Sequence, residues 1–527
     1  MGNNNVTGRP RRILDDARRE GVATVLITCR CNRSLICHCK PPRSKEEITL
    51  GAEPGDAPSG GRRKPTRSRT TRTVPIGNLP EELLPAILSK LDAKQAARTS
   101  VLSSAWEHAW KHSPRLTLDI FAICGAGYML RLDHERYVQR FLDMADAILR
   151  QRRGSVVEQL EIRVDEAAVQ LVSRRLDDWV RFAAAARAKS LTLHVSSVTP
   201  CLMRPSDLYA LPLQLLDDGG VSGLHHIHLS CVSLKLPSPS FPKLKRLGLC
   251  YARVSAADFG DMLSNCPNLE WLDLYHVYLN DELKVDTPFS RLRYLRLAAC
   301  SVTQMKLTAT NLATFIFLGR SLPSIDLGAT PRLCDVNVYC HEITMEHALS
   351  SLSDAFPMVQ RLSFHSIIIQ LEFPWRLQNA SRFPHLRHLQ LIFDVRTMHS
   401  DDILSVVRFL EAAPLLEELD IVLALCRENG GEGHLRRLPH GQLKYKCLKS
   451  LRVCSFRGQK SQVDLLVHIV ENAPALQILT IDSSRPHVPE ETYRVTEDEK
   501  GILSKIRHMA ATCIGSKLSA KTKFIVE

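Results

Sequence analysis

The chain has 527 residues, 44% of them hydrophobic and 24% charged, which is room for about three domains or one long repeat array around a sizeable core. Its formal net charge is +13, but residues 1–73 hold 16 Lys and Arg against 7 Asp and Glu, so the remainder carries only +4. A nearly balanced body argues against a nucleic-acid groove, where excess cations would have to neutralise phosphates.

Sixteen cysteines do not make a disulfide framework, because four crowd into residues 29–39 and the other twelve are scattered, as suits buried residues in a reducing compartment. Cys29, Cys31, Cys37, His38 and Cys39 miss the usual zinc spacing and no partner pair follows, so neither a metal nor a cofactor is expected. No apolar run approaches the roughly 20 residues of a membrane helix. The stretch from Val22 to Cys29 follows Asp15, Asp16 and Glu20 and lacks a clear cleavage pattern, which speaks against a signal peptide. Val6 stands where a myristoylation motif beginning at Gly2 asks for Ser or Thr. These features predict a protein of the cytoplasm and/or nucleus with no membrane contact.

Residues 1–73 lack periodicity and are rich in Arg, Pro, Gly, Ser and Thr, which predicts a disordered basic tail. Order is expected from about Val74. After Leu79-Pro80, apolar residues fall at Leu83, Leu84, Ile87, Leu88 and Leu91, a stripe at helical spacing. Pro80 suits a first helical position and Glu81 and Glu82 suit the positive end of the helix dipole. Pro85 conflicts with this helix, since inside it a proline removes a hydrogen bond. Asp92 is placed to cap a second helix carrying Ala96, Ala97, Val101 and Leu102, followed by Trp106 and Trp110. Short helices over about 40 residues bury too little apolar surface to stand alone. The unit needs a partner, or the domain that follows it.

This stretch resembles an F-box. It has Leu79-Pro80, Glu81-Glu82, Ile87-Leu88-Ser89 and Leu91, then Arg98-Thr99-Ser100-Val101-Leu102-Ser103 and Trp106, with Ser104-Ala105 in place of the usual basic pair. The resemblance spans residues 74–113 and implies docking on a Skp-type adaptor, and through it a cullin. Together with the apolar excess it points to Leu79, Pro80, Leu83, Leu84, Ile87, Leu91, Val101 and Trp106 as adaptor contacts.

Residues 114–190 read as a helical linker with the first repeats. Tyr137, Val138, Phe141, Leu142, Ala145, Ile148 and Leu149 form an amphipathic stripe there. From residue 157 to 482 an L-x-x-L-x-L pattern recurs, with clear starts at Leu224, Leu244, Leu269, Leu292, Leu312, Leu333, Val359, Leu386, Leu416, Leu448 and Leu476 and weaker ones at Val157 and Ala188. Proline stands two residues before the start in seven copies, at Pro242, Pro267, Pro331, Pro357, Pro384, Pro414 and Pro474, a coincidence that scattered leucines would not produce. This predicts a leucine-rich-repeat solenoid: stacked short parallel strands on a concave face, with return segments behind them. The repeats proper span 191–440. Residues 441–527 hold the last repeats, and Cys447 to Asp482 is similar to the FBD region that closes many plant F-box proteins with leucine-rich repeats. The fold class is therefore α/β, a helical F-box followed by a solenoid.

No nucleophile elbow, phosphate loop or dinucleotide motif is present. His341 and His347 are six residues apart, not the four of a zinc protease helix. The concave face is the expected site of function. Side chains at the second, fourth and sixth positions after each start face outward, which groups Trp271, Asp273 and Tyr275 with Tyr294 and Arg296, extended by His226 and His228. Aromatics with Arg favour protein-binding hot spots, so this patch is the candidate target-binding surface. The expected function is that of a non-catalytic substrate-recognition subunit of an SCF-type ubiquitin ligase. The alternative is a repeat scaffold that joins no ligase.

Overall fold

The structure is a computed structural model. It describes residues 81–125, 134–196, 208–216, 222–235, 240–370, 382–394, 406–424, 445–482 and 508–526, apart from 89–90, 92, 153, 166–167 and 280. The tail expected over residues 1–73, the Leu79-Pro80 pair and Asp92 lie outside the described residues. All described residues belong to one unit, Thr73–Ser484 with Gly501–Glu527, distinct from Met1–Arg72 with Arg485–Lys500.

One parallel sheet of 15 strands organises this unit, and its spatial order is its chain order. The strands are Arg115–Asp119, Gln159–Asp165, Ser190–Ser196, His226–Ser230, Arg246–Cys250, Trp271–Tyr275, Tyr294–Ala298, Thr314–Gly319, Asp335–Thr344, Arg361–Gln370, His388–Asp394, Glu418–Ala424, Ser450–Cys454, Ile478–Asp482 and Lys523–Val526. Every strand from Gln159 to Ile478 begins two residues after a repeat start named above, the two weak starts included. The start residue itself is buried in each copy.

The prolines explain how each start is set. In all seven copies the start residue's N–H closes a tight turn onto the carbonyl three residues back, as in Leu269 to Cys266 at 3.2 Å and Leu476 to Ala473 at 3.1 Å, and the proline is the second residue of that turn. Its fixed φ is the one this position requires. Proline thus shapes the turn into the strand; ending the previous helix is secondary.

Side chains then alternate. In Trp271–Tyr275, Leu272 and Leu274 are fully buried while Trp271, Asp273 and Tyr275 are half-exposed. Five strands are followed at the same repeat position by a non-glycine residue with positive φ: Cys231, Tyr251, His276, Ala299 and Ser455. This left-handed step turns the chain off the sheet in successive repeats. Behind the sheet the return segments vary. Some are helical, as at Ala256–Ser264, Met345–Ala355, Val406–Ala412 and Lys460–Asn472. Between the first two of these, Asp281–Val285, Val302–Leu307 and Ser324–Asp326 form a second, three-stranded parallel sheet. His468, on the inner side of the last helix, is buried with Nε2 3.0 Å from Tyr445 Oη, a satisfied core histidine.

The F-box-like segment is a chain of short helices: a 3-10 turn Glu81–Leu83, then Leu84–Leu88, Ala93–Arg98, a 3-10 turn Thr99–Val101, and Ser104–Lys111. Because the α-helix starts only at Leu84, Pro85 falls in its first turn, where no backbone hydrogen bond is lost; the conflict expected from a longer helix does not arise. Ser103 caps the last helix by accepting from the Trp106 N–H. The sequence reading does not anticipate the next element, strand Arg115–Asp119, which opens the sheet directly after the helices and pairs with Gln159–Asp165. Arg152, at the end of helix His134–Gln151, is buried and donates to the carbonyls of Trp110 and Ser113. Lys94 Nζ donates to the Ile123 carbonyl at 2.5 Å. These bonds tie the helices to the start of the array.

Candidate functional site

Two surfaces carry the residues singled out from the sequence. On the first, the short helices divide their apolar side chains. Leu84 and Trp106 are 1% and 2% exposed and belong to the continuous core, so in this form of the chain they support the surface from beneath and are not presented to a partner. Ile87 and Leu91 are half-buried against that core. Leu83 is 49% exposed and Val101 88%, and Leu102, which the sequence reading placed on a helix stripe but not among the contacts, is 43% exposed. The helical spacing gave the width of the apolar face but not which part of it the rest of the chain would cover.

The second surface is the open face of the sheet. Pairing puts Trp271 opposite Tyr294, Asp273 opposite Arg296 and Tyr275 opposite Ala298. The Trp271 and Tyr294 rings are stacked, with centroids 3.4 Å apart and planes at 8°. Arg296 donates to Asp273 at 3.2 Å and its guanidinium lies 5.8 Å from the Tyr275 ring centre. Burial, helped by the nearby Asp273 charge, pushes the Tyr294 phenol up to about 12, so it stays neutral. The five residues grouped from spacing alone are therefore side by side.

His226 and His228 lie two strands from Trp271, on the same face. The strand between them, Arg246–Cys250, supplies two residues the sequence reading passed over. Arg246 sits 5.6 Å over the Trp271 ring. Gly248 leaves room for the His228 ring, because a Cβ there would come within 2.3 Å of His228 Nδ1. The signal was available, since Arg246 has the same offset from Leu244 as Trp271 has from Leu269; without an aromatic on that strand nothing drew notice to it. Burial lowers the His226 pKa, and the positive Arg246 lowers it further.

At the edge of the patch His276 takes φ 50°, stacks on Tyr251 at 4.7 Å and meets Tyr275 edge-on. Burial lowers its pKa below the ordinary value of about 6.5. A depressed folded value means that stability is full above the unfolded pKa and is lost as pH falls through the folded one. Asparagine tolerates positive φ, so His276→Asn should keep the backbone and remove this component. Between pH 7 and 5 the melting temperature of the native chain should fall further than that of the variant; equal falls would refute the assignment.

Among the described residues no group of three or more His, Cys, Asp or Glu is placed to hold a metal ion, and no helix is long and apolar enough to cross a membrane. What the two surfaces offer chemically is apolar contact, stacking and hydrogen bonding.

Residues 76–118 match the F-box domain family, and residues 148–519 match the family described as At1g61320/AtMIF1, LRR domain. Among curated proteins of Arabidopsis thaliana, F-box/LRR-repeat protein At3g58900 is 28% identical over 48% of this chain and 76% of its own length. F-box/FBD/LRR-repeat protein At1g13570 is 23% identical over 78% of this chain and 91% of its own. FBD-associated F-box protein At1g61320 is 21% identical over 79% and 90%.

Proposed function

Because the chain belongs to the plant family of F-box proteins with leucine-rich repeats, we propose that it is the substrate-recognition subunit of an SCF-type ubiquitin ligase. The F-box docks on a Skp-type adaptor, and through it on a cullin, while the open face of the repeat sheet holds a target protein. The observation that carries this reading is the exposure of Leu83, Val101 and Leu102 on a short helical unit in which Leu84, Leu88, Trp106 and Trp110 are covered. A side chain such as Val101, 88% exposed, gains nothing from its own fold and has a reason to stay apolar if a neighbouring molecule covers it.

The mechanism is proximity. In this reading the chain contributes position and no chemistry of its own. It holds a target lysine near a ubiquitin-charged conjugating enzyme, which raises the effective concentration of one reactant at the other. Ile87 and Leu91 extend the adaptor contact from beneath, and Leu79 and Pro80 complete it. Trp271, Asp273, Tyr275, Tyr294, Arg296, His226 and His228 make the target contact.

A purified Skp-type adaptor, immobilised and offered the full chain, should retain it in 0.5 M salt as well as in 0.15 M, because the contact is apolar and not screened. Failure of a folded chain to bind leaves the second reading, a repeat scaffold outside any ligase, which Ser104-Ala105 in place of a basic pair favours.

A further inference from the structure

The charges on the patch are not balanced, and the imbalance selects a partner. Asp273 is neutralised by Arg296 on the next strand. At the rim, Lys245 is paired with Glu270 at 3.6 Å. Arg246 has no carboxylate within ion-pair distance among the described residues; its guanidinium lies over the Trp271 ring instead. A guanidinium stacked on an indole keeps its N–H edges free, in a fork that fits a carboxylate through two parallel hydrogen bonds. Beside it His226 Nδ1 is enclosed without a hydrogen-bond partner. On the other side of Trp271 the stacked Tyr294 ring extends the apolar surface for a neighbouring residue. Other outward cations on this face are matched, as in Arg361 with Asp335 and Arg452 with Asp482. The patch thus offers an anion site next to an aromatic anchor, not the cationic track a nucleic acid needs.

We propose that the segment recognised on this face is an acidic peptide, with an Asp or Glu carboxylate on Arg246 and an adjacent apolar or aromatic side chain on the Trp271–Tyr294 stack. The proposal rests on the reading of this face as the target-binding surface and adds the chemical class of the target segment.

The test is selection of a displayed library of random twelve-residue peptides on the immobilised full chain. Peptides enriched in Asp or Glu next to Leu, Phe, Tyr or Trp are expected. Arg246→Glu should weaken the selected peptides about tenfold or more and, used as bait, should shift enrichment towards Lys and Arg. Arg246→Lys should keep the acidic preference with weaker binding. Selected peptides without acidic enrichment, or no enrichment at all, would overturn the proposal, as would peptides indifferent to Arg246→Glu. Trp271→Ala separates the two levels. If it releases the selected peptides while Arg246→Glu does not, the face still binds targets and only the acidic class is wrong. If neither substitution matters in a chain with a native circular dichroism spectrum, the face itself is not the binding surface.

Discussion

Replacing Leu83, Val101 and Leu102 together by serine should weaken binding to a Skp-type adaptor by about three orders of magnitude and leave the melting temperature nearly unchanged. None of the three is enclosed in the free chain, and Val101 is almost fully exposed, so shortening them leaves no closed cavity. Fully covering an apolar side chain of this size contributes about 1.5–3 kcal/mol. Discounting for partial prior burial, three such residues supply about 4 kcal/mol, and each factor of ten in affinity is about 1.4 kcal/mol. Titration calorimetry with purified adaptor measures the loss directly. Trp106→Ala is the control: Trp106 is enclosed in the core, so its removal should cost about 3–5 kcal/mol of stability. If the triple variant bound as well as the native chain, the exposed apolar edge would not be the docking surface.

The second large effect is expected at Arg152. Its side chain is 1% exposed and donates to the carbonyls of Trp110 and Ser113, at the C-terminal end of the last F-box helix. The Trp110 carbonyl lies at the negative end of the helix dipole and otherwise accepts the Ser113 N–H at 3.4 Å, so a buried cation there is a cap supplied from outside. Burial alone lowers the guanidinium pKa to about 10, which still leaves it charged at neutral pH. Arg152→Met keeps the length of the stem and removes both bonds. Leaving the Ser113 carbonyl without its donor, and the Trp110 carbonyl dependent on the long bond from the Ser113 N–H, should cost about 1–3 kcal/mol. Hydrogen exchange read by mass spectrometry should show faster exchange in residues 104–113 and unchanged protection in the repeats from 224 to 482, because neighbouring repeats support one another without the F-box. Unaltered exchange in 104–113 would mean that Arg152 does not hold the helices to the array.

The register of the sheet was legible because two independent marks, an apolar triplet and a turn proline, recur at one offset. Each follows from geometry: alternate residues of a strand share a face, and proline has the φ of the second turn position. Strand Arg115–Asp119 escaped notice because it carries only Leu116 and Leu118 and no proline precedes it at that offset. The division of the F-box helices into covered and uncovered apolar residues was not legible for a different reason. Leu83 and Leu84 are neighbours of equal hydrophobicity, and which of them is enclosed depends on packing that no local pattern records. Arg246 shows a third kind of loss. Its place was given by the repeat, but its importance comes from what Asp273 and Glu270 are already bound to, and that is a property of pairs across strands.

Because the sheet runs in chain order without interruption, it also works as a ruler. The strand carrying Trp271 is sixth from the end that adjoins the F-box. At about 4.8 Å per strand, that places the Trp271–Tyr294 patch about 24 Å along the sheet from the first strand. Under the proposed function, a chain that gained or lost one repeat on that side would hold its target about 5 Å nearer or farther, past a different lysine. Which lysine is marked would then follow from counting repeats, a variable that insertion and deletion can change without touching the residues that grip the target.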